Sequence, residues 1–216
     1  MTGHDVIDRE NQRQRERGDV NQFERGATDA VLVSGDREQF AQLFDRHAAT
    51  LHRYCVRRVG VDAAEDVVAE TFTIAFAKRG RFDAGYISAL PWLYGIATNL
   101  LRRRRRDEVR AYRALARTGV DPLNTATAAA VDSTDYIAAR LDAAAASRQL
   151  AVALAKIPAR HRDVLLLYAW GQLSYAEIAT ALRISLGTVR SRLSRAKARL
   201  RNDLPALTAH GIGAQA

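Results

Sequence analysis

The sequence predicts an all-α protein: two small helical domains joined by a flexible linker, the C-terminal one containing a helix-turn-helix. Three observations carry this. Apolar residues recur at helical spacing in several separate stretches between residues 40 and 200. No stretch alternates with period two for long enough to suggest a sheet. Capping signals bracket two short helices between Ser174 and Leu200.

Residues 1–33, which include DRENQRQRERGDVNQ, hold few large apolar groups and cannot repay the entropy of folding, so they are expected to form a disordered arm. From Asp36 the pattern changes, and Phe40, Leu43, Phe44, His47, Leu51, Tyr54 and Cys55 mark one long amphipathic helix. After a turn containing Gly60, Asp62 is positioned to cap a second helix, DAAEDVVAETFTIAFAKR. Its Val67, Thr71, Ile74 and Ala75 form an inward stripe, and Glu65, Asp66 and Glu70 an acidic outer face. Turn residues and aromatics follow from Gly80 to Ser88. PWLYGIATNLLRRRRR then starts a third helix, with Pro91 tolerated in its first turn and Leu93, Ile96, Ala97, Leu100 and Leu101 directed inward. These helices make a small bundle spanning residues 34–117.

Residues 118–135, TGVDPLNTATAAAVDSTD, mix Gly, Pro, Thr, Ala and Asp without a period and read as a linker. The second domain, residues 136–205, resumes helicity near Tyr136, with Leu150, Leu154 and Ile157 ahead of Pro158. The segment ARHRDVLLLYAW follows, closed by Gly171. Next comes Ser174 with Glu177 three residues on, a capping box that starts a short helix carrying Ile178, Ala181 and Leu182. Arg183 and Ile184 form a short turn, and Ser185 caps the last helix. On that helix Val189, Leu193, Ala196 and Leu200 share one inward stripe, while Ser191, Arg195 and Ala198 lie opposite. Residues 206–216 are a tail.

With 33 Lys+Arg against 24 Asp+Glu, the chain carries a formal charge of +9, which makes nucleic acid the leading partner class. The longest apolar run, Val164 to Trp170, is too short to span a membrane, and the N-terminus lacks a hydrophobic signal region, so the expected location is the cytoplasm with no membrane insertion. Cys55 is the one cysteine, which excludes intramolecular disulfides and thiolate zinc sites and makes it a core residue. The last helix has small, hydrogen-bonding residues at its centre and cations at its flanks, with almost no acid from Gly187 to Arg201. Such a helix suits a major groove, where its flanks meet phosphates and its centre meets base edges.

Two separated blocks resemble one family, the bacterial sigma factors of the sigma-70 class in their extracytoplasmic-function (ECF) group. AEDVVAETFTIAFAK, RFD and PWLYGIATNLLRRRRR look like the second conserved sigma domain, and IPARHRDVLLLYAWGQLSYAEIATALRISLGTVRSRLSRAKARL looks like the fourth. The resemblance implies an initiation factor that binds core RNA polymerase and promoter DNA. The second domain would recognise and help open the −10 element, and the fourth would bind the −35 element.

Carried over residue by residue, Asp66 and Glu70 would dock the polymerase clamp. Phe82, Asp83 and Tyr86 in the loop, with Asn99, Arg102 and Arg103 on the following helix, would hold the −10 element, cations on its backbone and aromatics on its unpaired bases. Trp92 is open between core packing and base contact, and the run from Arg102 to Arg106 is expected beside phosphates. Arg190, Ser191, Ser194 and Arg195 fall on base-reading positions for the −35 element, with Thr188, Arg192, Lys197 and Arg199 nearer the backbone. Two positions depart from the family pattern. Arg183 stands where glycine is common, so the turn is built either without a positive φ or with strain, and Ser194 is smaller than usual. The linker's Asp121, Asp132 and Asp135 leave it open between a nucleic-acid mimic and a plain tether. An anti-sigma protein is a further partner the family admits.

The resemblance implies no catalysis and no cofactor. A stand-alone helix-turn-helix regulator is the alternative. A metal-dependent helical enzyme would have to use His47 and His52, whose spacing of five does not place them on one helix face, and no H-E-x-x-H occurs.

Overall fold

The computed structural model describes residues 28–121, 123 and 134–204, and every regular element among them is helical. In chain order these are α1 (Asp29–Ser34), α2 (Arg37–Val59), α3 (Val61–Ala77), a 3-10 turn (Arg79–Arg81), α4 (Leu90–Arg103) and α5 (Arg105–Thr118). After the linker come α6 (Thr134–Lys156), α7 (Ala159–Ala169), α8 (Tyr175–Leu182) and α9 (Leu186–Asp203).

The end of the expected arm is helical instead, since α1 begins at Asp29, while residues 1–27 lie outside the described residues. Asp29, Leu32 and Val33 are buried in α1, because the short apolar run AVLV has α2 to pack on and Asp29 finds partners for its charge. The Asp29 carboxylate accepts from Arg46 Nη1 at 2.6 Å, from the Ala89 backbone N–H at 2.7 Å and from Ser88 Oγ at 3.2 Å. His47 Nε2 lies 2.7 Å away. Burial alone would raise its pKa, but His47, Ala89 N–H and Arg46 together outweigh that and hold it at about 2. A carboxyl with a depressed folded pKa stabilises fully above its unfolded value near 3.8, and that contribution is lost as pH falls from there toward 2. Urea midpoints followed across this window should therefore drop in the native chain, and the drop should shrink in Asp29→Asn. Parallel pH profiles would refute the assignment.

A full capping box on Asp36, reciprocated by Gln39, starts α2. Gly60 ends it at φ 85°, in the left-handed region that favours glycine. Asp62 does not cap α3: Gly60 holds that position, and Asp62 sits inside the first turn, where its charge still complements the helix N-terminus. Val67, Thr71 and Ala75 are buried as the periodicity requires, with Ile74 partly so. Helix α4 stops at Arg103. Arg104 leaves helical geometry (ψ 29°) and α5 begins at once, so the arginine run is split across two helices.

The linker lies mostly outside the described residues; Gly119, at φ 70°, ends α5, and α6 begins at Thr134. Helices α5 and α6 pack closely enough that a Cβ on Gly119 would sit 2.6 Å from the Ala144 carbonyl oxygen. The helix-turn-helix follows its signals closely. Ser174 and Glu177 make both bonds of the capping box, and Ser185 Oγ accepts from the Thr188 N–H. Between them Arg183 adopts φ 52°, ψ 50°, so the turn is made with a left-handed non-glycine residue. That conformation costs an L-residue about 1–2 kcal/mol, against about 0.5–1 kcal/mol of extra chain entropy for glycine. Arg183→Gly should accordingly raise stability by up to about 1.5 kcal/mol, measured by thermal unfolding, and a lowered midpoint would refute the strain.

The two blocks share one continuous apolar core, from Leu32 and Leu43 through Leu93 and Leu101 to Leu166, Ile178 and Leu193. Helices α4 and α8 meet at Gly95, where a Cβ would fall 2.4 Å from the Ala181 carbonyl oxygen, so only glycine permits this approach. Buried charges cross the same seam. Arg58, fully buried on α2, donates from Nε to Glu108 of α5 at 2.8 Å and from Nη2 to Asp163 of α7 at 2.7 Å. Glu108 also accepts from Arg162 Nη2 and from the Tyr112 hydroxyl. Burial opposes the charge on Arg58, yet Tyr54, Glu108 and Asp163 keep its pKa well above the ordinary arginine value.

Candidate nucleic-acid interface

Helix α9 presents the residues singled out for the −35 element as an exposed surface. Val189, Leu193 and Ala196 are buried and Leu200 partly so, which turns Arg190, Ser191, Ser194 and Arg195 to solvent. Thr188 is drawn into the cap, with its hydroxyl 2.8 Å from Ser185 Oγ, and Ser191 Oγ donates to the Thr188 carbonyl at 3.1 Å. Two flank cations turn toward neighbouring helices: Lys197 Nζ lies 5.1 Å over the Tyr168 ring, and Arg199 donates to the Lys156 carbonyl at 3.5 Å. Their charge still adds to the field. His161, buried beneath α9, has its pKa lowered first by burial and then by Arg160, Arg195, Arg192 and Arg199. The face is therefore strongly electropositive and able to attract phosphate.

The second cluster lies between the 3-10 turn and the end of α4. Asp83 accepts from the Gly85 N–H at 2.9 Å and thereby shapes the loop, and its backbone carbonyl accepts from the Tyr86 N–H. Phe82 is half-buried, its ring 5.3 Å from that of Trp92, and Trp92 packs against the core. Tyr86 and Ile87 are exposed at 42% and 71%, enough to offer an aromatic and an apolar surface to an unstacked base. The loop's far end is anchored at Ser88 and Ala89 by Asp29, an anchor the sequence pattern does not show because Asp29 lies ahead of the first stretch of periodic apolar residues. Asn99 is exposed and accepts from Arg102 at 3.4 Å, and Arg103 is exposed beside them.

Two members of this cluster are engaged by the C-terminal block. Arg102 Nε donates to Asp163 at 2.7 Å, and the Tyr86 hydroxyl lies 3.3 Å from Thr180 Oγ1 on α8. Asp66 stands exposed and Glu70 half-buried on α3, and Arg104 reaches both, at 3.2 and 3.5 Å. The acidic face is thus partly neutralised by the residue that breaks α4 from α5.

Cys55 is wholly buried, its thiol pushed up to about 12 by burial. Among the described residues no group of His, Cys, Asp and Glu is arranged to hold a metal, and no helix is long and apolar enough to cross a membrane.

Two helical blocks packed on a common core, the second ending in a doubly capped helix-turn-helix with an exposed arginine-serine face, define a protein of the helix-turn-helix transcription class. Family models for Sigma-70 region 2 and Sigma-70 region 4 match residues 43–111 and 147–200. The chain is 36% identical over 166 residues to the ECF RNA polymerase sigma factor SigL of Mycobacterium tuberculosis, covering 76% of this chain and 88% of that one. To SigW of Bacillus subtilis it is 29% identical over 178 residues, covering 80% and 92%. Among solved structures, CnrH in complex with the cytosolic domain of CnrY aligns with a TM-score of 0.55 at 26% identity, over 84% of this chain and 96% of that one. The chain belongs to the ECF group of sigma-70-class RNA polymerase sigma factors.

Proposed function

We propose that this chain confers promoter specificity on core RNA polymerase. In this reading α9 engages the −35 element through Arg190, Ser191, Ser194 and Arg195, with Thr188, Arg192, Lys197 and Arg199 adding phosphate attraction. The loop and α4 engage the −10 element through Phe82, Asp83, Tyr86, Asn99, Arg102 and Arg103 and help to open it. Asp66 and Glu70 face the polymerase. The chain contributes no catalysis, requires no cofactor and works in the cytoplasm, where the template is. The observation that carries this reading is that the chain matches both sigma regions in order, with an exposed arginine-serine face on α9 and exposed Tyr86, Asn99 and Arg103 around the loop and α4. A regulatory partner of the anti-sigma kind belongs to it as well, since the related CnrH was solved with a partner protein on this fold.

The two elements lie about 25 base pairs apart, roughly 85 Å of duplex at 3.4 Å per pair. A compact chain of this length has a radius of gyration of about 17 Å. Engaging both elements at once therefore requires the Arg102–Asp163 and Tyr86–Thr180 contacts to part.

The test is a reconstituted run-off assay with core polymerase on a library of promoter fragments. Promoter-specific transcripts that depend on the chain are expected. Tight, specific binding to duplex DNA by the chain alone, with no stimulation of polymerase on any fragment, would instead assign a stand-alone regulator.

A further inference from the structure

We infer that the outer face of α5 is a third nucleic-acid surface, a track for the phosphate backbone of duplex DNA between the two promoter elements; this rests on the promoter reading above. Arg106, Arg110, Arg113 and Arg117 follow one another at steps of four, three and four, so they form a single stripe, and all four are exposed. The opposite face of the helix buries Glu108 and Tyr112. Arg103 and Arg105 extend the stripe around the start of the helix, and the whole forms an open trough with Asp107 as its acidic member. Asp107 pairs with Arg110 at 3.5 Å, and Arg104 is turned to Asp66 and Glu70. Among the described residues, Arg103, Arg105, Arg106, Arg113 and Arg117 have no carboxylate within ion-pair distance.

Such an array does not serve folding. Like charges one turn apart destabilise a helix by about 0.2–0.5 kcal/mol per pair. They gain most from an external polyanion, and the planar guanidinium fork matches phosphate oxygens. Two features favour duplex DNA over an acidic protein. The trough is lined almost wholly by arginine, whereas a protein interface has an apolar centre depleted of charge. The stripe also spans eleven residues, about 16 Å at 1.5 Å per residue, which matches about five phosphates of one strand at 3.4 Å of axis each. Its place in the chain agrees: α5 follows directly on Arg102 and Arg103 at the end of α4 and leads into the linker toward α9, so the stripe falls on duplex upstream of the −10 element.

The experiment compares the full chain with a variant in which Arg106, Arg110, Arg113 and Arg117 are glutamine, each assembled with core polymerase. Affinity for a promoter fragment recovered in the run-off assay is measured over a range of salt. The slope of log affinity against log salt should become shallower by about 0.9 for each phosphate that the variant no longer neutralises. Binding at physiological salt should weaken at least tenfold, and the lysine variant should recover most of it. On a fragment whose duplex stops just upstream of the −10 element, variant and native holoenzymes should bind alike. Equal salt slopes on the full duplex would overturn the inference, as would a defect seen only in assembly with polymerase, which would make the stripe a protein-docking face. The single change Arg113→Gln gives the same slope readout should the fourfold variant fold poorly. If the native holoenzyme initiates from no promoter, the reading beneath fails instead; if it initiates normally, the slopes bear on the stripe alone.

Discussion

Glu108→Ala should cost the chain about 3–5 kcal/mol of folding stability, the range found when one partner of a buried ion pair is removed. Glu108 accepts from Arg58 on its own block, from Arg162 across the seam and from Tyr112, and all four side chains are buried or nearly so. Its removal leaves the buried Arg162 without a carboxylate, only the Leu154 and Ile157 carbonyls remaining to it, and takes one of two carboxylates from the buried Arg58. Because Asp163 still faces Arg58, the loss should be large without being total. Urea unfolding of the full chain would show it as a lowered midpoint. A change under about 1 kcal/mol would mean that the seam opens to solvent and the network is not closed as described. Glu108→Gln keeps the shape and one acceptor but not the charge, and should fall between.

The second large effect concerns promoter choice. Arg195→Ala should relax selection at the −35 element, because Arg195 stands exposed opposite the buried stripe of Val189, Leu193 and Ala196. A bidentate arginine contact to a base is worth about 1–3 kcal/mol of discrimination, or roughly 5- to 150-fold between the right and wrong base. Arg192→Ala, nearer the flank, should instead weaken binding to all sequences alike and reduce its salt dependence. Run-off transcription from promoters altered base by base at the −35 element would separate the two. Unchanged selectivity in Arg195→Ala would remove that residue from base reading.

Much of the fold is legible in the sequence because it depends on local signals. The capping box at Ser174, the cap at Ser185 and the stop at Gly60 act within a few residues of themselves, and the structure carries each out. At Gly171 the outcome differs: α7 ends at Ala169 and the left-handed residue beyond it is Gln172 at φ 55°, while Gly171 is where a Cβ would fall 2.7 Å from the Leu167 carbonyl oxygen. Sequence reasoning fails where two local signals compete. Asp62 has the chemistry of a cap, but Gly60 takes that position first. The arginine run reads as the end of one helix, yet Asp107 and Glu108 support a new first turn directly after Arg104. Helix α1 escapes the local pattern because its few apolar residues stay folded only by packing on a helix later in the chain.

The candidate site divides the same way. Exposure of Arg190, Ser191, Ser194 and Arg195 follows from helical periodicity alone, since burying one stripe of α9 exposes the other. Nothing in the local pattern marks Arg58, Glu108, Arg162 or Asp163, which look like ordinary surface charges until α2, α5 and α7 enclose them. Nor does it show that Arg102 is held by Asp163 or that the loop is pinned by Asp29.

By itself the sequence determined most of the helices, the caps at Ser174 and Ser185 and the cationic face of α9, which depend on residues a few positions apart, and through two blocks in order it carried the family resemblance. Tertiary structure alone decided how the two blocks share a core, which charges are buried between them and that Arg102 and Tyr86 are engaged by the C-terminal block. Those are contacts between residues up to 105 positions apart, and their energies depend on the water that only the assembled fold excludes.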